Sequence, residues 1–136
     1  MTGAQIATAY LNALENEDAA AVLALFQPEA IVHSPLYGPV PATRFYPALF
    51  TDTGRARLRL HGVAEGEHLA AIWFHFDWTL PSGQSAGFDC VDMLTLDHDG
   101  LISELHIIYD TIAVRPVFEQ ETGGSWRPGQ PPASLR

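Results

Sequence analysis

Phe88-Asp89-Cys90-Val91-Asp92-Met93-Leu94-Thr95-Leu96 alternates in the way a half-buried strand does. Side chains two apart share a face, so Phe88, Cys90, Leu94 and Leu96 lie together and Asp92 lies among them. A carboxylate is costly in apolar surroundings. Asp92 must therefore be protonated, hydrogen-bonded, or beside a cavity that holds something polar. A strand that carries an acid inward at its centre marks both a sheet and the place to look for a pocket.

The same period of two extends on both sides of this stretch. It predicts strands at residues 55–64, 69–80, 86–97 and 101–114, joined by the turns Pro81-Ser82-Gly83 and Asp97-His98-Asp99-Gly100 into an antiparallel meander. Upstream the period is helical. Thr2-x-x-Gln5 is a capping box for a helix striped by Ile6, Tyr10 and Leu14 that ends near residues 15–18. Asp18 caps a second helix over 19–26, with Pro28 as its stop. A short strand at 30–34 follows, Gly38-Pro39-Val40-Pro41 is a loop, and 43–50 is a third helix interrupted by Pro47. Helices followed by a meander give an α+β class, with one domain at 1–118 and an extended tail at 119–136.

The long strands have two unlike faces. Ile72, Phe74, Phe76 and Trp78 share one side with Leu105 and Tyr109 of the last strand, and these side chains shape an interior. Trp73, His75, Val91, Met93, His106 and Ile108 make an apolar outer face, which points to a homodimer.

Composition excludes several classes. Seven Arg and no Lys stand against 16 Asp plus Glu, for a formal charge of −9, so the chain offers no basic surface for nucleic acid or an anionic membrane. The single cysteine, Cys90, rules out an internal disulfide. Met1-Thr2-Gly3-Ala4-Gln5 has no basic n-region before an apolar run and no apolar stretch approaches membrane length, so no signal peptide and a cytoplasmic location are expected. No two histidines have the i, i+4 helical spacing of a zinc site, so neither metal nor cofactor is expected.

The order of elements, Tyr10 in Ala9-Tyr10-Leu11-Asn12-Ala13-Leu14, the stretch Ala30-Ile31-Val32-His33-Ser34-Pro35, and Cys90-Val91-Asp92 before the final hairpin together resemble the nuclear transport factor 2-like superfamily. Within it they are most similar to the ketosteroid isomerase and SnoaL-like polyketide cyclase branch. The resemblance covers residues 4–118. It implies a curved antiparallel sheet wrapped as a cone around N-terminal helices, an apolar pocket for a small apolar molecule, and a homodimer. It also implies that Tyr10 and Asp92 donate hydrogen bonds to a substrate oxyanion, with Asp92 protonated. The isomerase's base is an aspartate before a proline, and Ser34 stands in that place, lining the pocket. Asp110 in Ile108-Tyr109-Asp110-Thr111 looks like the acid that follows the last strand in SnoaL-like cyclases.

His33 and Asp110 are the candidate bases that complete this set, although strict alternation turns each to the face opposite its pocket-facing neighbour. Two functions stay open. One is cofactor-independent proton transfer, isomerase or cyclase in type, on an apolar carbonyl compound, with epoxide hydrolysis as a variant. The other is a ligand-binding or dimerisation module without catalysis.

Overall fold

In β4 (Leu69–Thr79) Ala70, Ile72, Phe74, Phe76 and Trp78 are buried, while Trp73 and Asp77 are exposed. In β5 (Ser85–Leu96) Ala86, Cys90, Asp92 and Leu94 turn the same way. The computed structural model, which describes residues 1–127 and 132–136, places these two strands side by side with Ile72 opposite Asp92. β3 (Arg55–Gly66) pairs with the other edge of β4, and β6 (Ile102–Ile108) with the other edge of β5. The hairpin turns rely on Gly83 and Gly100, at φ of 93° and 81°, a conformation that costs glycine little.

β1 (Phe26–Ser34) lies parallel to β6, and β2 (Gly38–Pro41) pairs antiparallel with β1. The curved sheet is therefore open, in the order β2-β1-β6-β5-β4-β3. α1 (Gly3–Glu15) packs on β3 and on α2 (Ala19–Leu23), and α3 (Ala42–Thr51) packs on β1 and β2. Ile6, Leu14, Val22, Phe45 and Tyr46 meet the concave side of the sheet to form one continuous core. This is the α+β architecture expected from the sequence, with helices first and the meander after them.

Proline placement accounts for most of the local differences. Gly38-Pro39-Val40-Pro41, expected as loop, is the outermost strand, and a proline's missing N–H is harmless on an unpaired edge. Pro28 lies inside β1 where the register with β6 shifts, so α2 ends earlier than residue 26 and β1 begins there. α3 continues through Pro47. β6 stops at Ile108, and residues 114–122 form α4 (Val114–Thr122), with Pro116 in its first turn, where no intrahelical N–H partner is required. α4 thus runs across residue 118, where the domain was expected to end, and its Phe118 is fully buried against Trp78 and Tyr37. The proline-rich stretch 128–131 of the expected tail lies outside the described residues. No helix among the described residues is long and apolar enough to cross a membrane.

Candidate functional site

Asp92 enters the core from the middle of β5, flanked in register by Ile72 on β4 and Ile107 on β6. It is 2% exposed, and its Oδ1 has no hydrogen-bond partner among the described residues. Burial withholds the water that an ionised carboxylate needs and pushes the carboxyl pKa up to about 7, while the nearby Tyr10 hydroxyl offsets part of the rise.

Tyr10 arrives from α1, on the stripe that also buries Ile6 and Leu14. Its hydroxyl is 2.8 Å from that of Tyr46, a residue of α3, and either oxygen can donate to the other. Both phenols are driven well above the ordinary tyrosine value, first by burial, and the negative charge available on Asp92 adds to the effect. They remain neutral hydroxyls. Three polar groups from three elements, Asp92, Tyr10 and Tyr46, thus meet in an otherwise apolar interior. Tyr46 had no place in the sequence reading.

Beside Asp92 lies a narrow cavity of about 40 Å³ that opens to the surface. Tyr10, Ser34, Phe74, Phe76, Trp78, Phe88, Asp92 and Tyr109 line it, as placed from the sequence pattern and the resemblance. Phe88 stacks between Phe76 and Tyr109, with ring centroids 5.4 and 4.1 Å away, and both Phe88 and Tyr109 are partly exposed. Leu14, Leu36, Tyr37, Phe45, Leu49, Cys90 and Ile107 complete the wall and were not foreseen. Burial pushes the Cys90 thiol up, with the charge of Asp92 adding to it, so it is an inert wall group.

Four of the expected site residues stand elsewhere. Ile72 and Leu105 are fully buried core and do not reach the cavity wall. His33 lies on the outer face of β1, as alternation requires when Ser34 turns inward. Asp110, one residue beyond Tyr109, is exposed, and its Oδ1 accepts the Ile112 N–H at 2.9 Å in a local turn. The Ser34 hydroxyl accepts the N–H groups of Leu36 and Tyr37 at 3.2 and 3.1 Å, so it shapes the turn after β1. Neither proposed base reaches Asp92.

The outer face has polar clusters of its own. His33 and His106 are register partners on β1 and β6, their rings stacked at 4.1 Å and 5°. Glu104 Oε2 lies 3.1 Å from His33 Nε2, and one ligand atom from each of the three residues falls within 4.8 Å of the others. Further along, Asp89 Oδ1 is shared by His61 Nε2 and His75 Nδ1, each at 3.0 Å, and these two contacts hold the Asp89 carboxyl below its ordinary value, His61 first.

A family model described as the SnoaL-like domain matches residues 7–105. Among solved structures, TerC co-crystallized with polyporic acid is similar over 86% of this chain and 98% of its own, at 20% identity and a TM-score of 0.73. The epoxide hydrolase/cyclase-like enzyme SalBIII, with a role in pyran ring formation in the polyether salinomycin, is similar over 82% of this chain and 92% of its own, at 16% identity and a TM-score of 0.69. A nuclear transport factor 2-like protein of unknown function from Cytophaga hutchinsonii is similar over 88% and 96%, at 17% identity and a TM-score of 0.68. No curated protein sequence matches the chain. At these identities the likeness is one of fold.

Proposed function

The chain belongs to the SnoaL-like domain family, and from that premise we propose that it is a cofactor-independent acid–base enzyme acting on an apolar carbonyl compound, with Asp92 exchanging the proton. The observation that carries the reading is a buried carboxyl at a cavity wall, one oxygen unpartnered among the described residues, whose pKa burial raises to about 7. Two similar structures support the class, one crystallised with polyporic acid and the other an epoxide hydrolase/cyclase-like enzyme.

With His33 and Asp110 outside the cavity, one group does both halves of the work. Ionised Asp92 takes a proton from the carbon beside a bound carbonyl. The C–H electron pair becomes a C=C bond, and the carbonyl pair moves to oxygen. Tyr10, itself hydrogen-bonded to Tyr46, donates its O–H to that oxyanion. Neutral Asp92 then returns the proton to a different carbon in an isomerisation, or protonates the new alkoxide when the enolate carbon attacks a second carbonyl in a cyclisation. Phe74, Phe76, Trp78 and Phe88 exclude water from the intermediate.

The same proposal includes a homodimer through the outer face, where Trp73 and Ile108 are 52% and 55% exposed beside Val91 and Met93. A second reading, a ligand-binding module, is favoured by one fact: Asp92 is the only carboxyl or imidazole lining the cavity among the described residues. Naphthol binding and deuterium exchange beside the carbonyl of a panel of cyclic ketones separate the two. The enzyme exchanges the label, and Asp92→Asn abolishes exchange while naphthol affinity stays within about tenfold. Naphthol binding with no exchange across the panel would establish the binding module instead.

A further inference from the structure

We propose that His33, Glu104 and His106 form a binding site for one divalent transition-metal ion of the zinc, nickel or cobalt kind, on the sheet face opposite the cavity. The topology builds the site. Parallel pairing of β1 with β6 sets His33 directly against His106, and the two-residue step from Glu104 to His106 keeps both on one face. Two imidazoles and a carboxylate from adjacent strands therefore converge without any helical spacing between them.

The donor set and its spacing suit such an ion. Tetrahedral ligands at zinc distances lie about 3.3 Å from one another. His33 Nε2 and Glu104 Oε2 are already 3.1 Å apart, and all three donors lie within 4.8 Å. The His33 and Glu104 side chains are 35% and 42% exposed and His106 is exposed, so small rotations close the set around an ion without disturbing the core. Imidazole with a carboxylate selects the borderline ions over magnesium or calcium, which take oxygen donors. Three protein ligands leave at least one coordination position, and because His106 pairs with Met93 on the outer face proposed above for the dimer, the ion would sit at or beside that interface.

The test uses the full chain after chelator treatment and dialysis, with zinc followed by calorimetry and cobalt by its visible absorption. One ion per chain is expected, with a cobalt spectrum of low coordination number. His106→Ala and Glu104→Gln each weaken binding by about tenfold or more, with far-ultraviolet circular dichroism unchanged. His75→Ala, which breaks the separate cluster on Asp89, leaves the affinity alone. Three results overturn the proposal: no binding by the parent chain at millimolar metal, binding indifferent to both variants, or loss of binding in His75→Ala in their place.

Discussion

Asp92→Asn tests the buried acid through stability, without knowledge of any substrate. The carboxyl titrates near its ordinary 3.8 when unfolded and at about 7 in the folded chain. Between those values the folded state holds a proton that the unfolded state has released, so stability falls as pH rises, by about 1.4 kcal/mol per pH unit. Asp92 therefore contributes most below pH 3.8, loses that contribution progressively up to pH 7, and changes little above it. The full swing is about 4 kcal/mol, of which about 3 kcal/mol falls between pH 4.5 and 7.5. An asparagine has nearly the same shape and no charge to bury. Denaturant unfolding of both proteins at several pH values isolates the effect, because every other titrating group cancels in the difference. The variant is expected to gain about 3 kcal/mol relative to the parent from pH 4.5 to 7.5. Parallel stability curves would refute the desolvated carboxyl and, with it, the proton-exchanging role built on it.

Tyr10→Phe leaves the buried Tyr46 hydroxyl without its partner, at a cost of about 1–3 kcal/mol. It also removes the group that offsets the rise at Asp92, so the carboxyl titration followed by carbon-13 NMR should move higher, and a downward move would count against the arrangement. Ser34→Ala loses the acceptor for two backbone N–H groups, destabilising the turn by about 1–3 kcal/mol in denaturant melts, with ketone exchange retained. Loss of exchange in a stably folded Ser34→Ala would instead return Ser34 to the chemistry. Sedimentation at micromolar concentration should give a dimer for the parent chain and a monomer for Trp73→Arg, and a monomeric parent would remove the proposed interface.

The inward direction of Asp92 was readable because alternation is strict along β5, and the aromatic wall because it is equally strict along β4. What escaped depended on tertiary context. Tyr46 stands next to Pro47 on a helix that proline was expected to interrupt, and nothing local says that α3 turns this phenol toward Tyr10. The last strand was expected to run to residue 114, yet β6 stops at Ile108 and α4 begins at Val114, its Phe118 filling the space between Trp78 and Tyr37. Paired histidines are legible in a sequence when they share one helix, whereas His33 and His106 meet across two strands whose parallel register no local pattern encodes.

That parallel pairing also governs the order in which the chain can assemble. His33 and Glu104 are 71 positions apart yet touch, so β1 has only β2 to pair with until β6 exists. The β3-β4-β5 ribbon can form from neighbouring hairpins, and so can the β1-β2 hairpin under α3, but no strand ladder joins them until β6 is made and inserts between them. At ordinary rates of synthesis the wait for those 71 residues is about 4 to 14 seconds. Throughout it Phe26, Ala30 and Val32 belong to a strand with one bare edge, the part of the nascent protein most open to wrong partners and to chaperones. β6 is thus the piece whose arrival turns two exposed fragments into one protein.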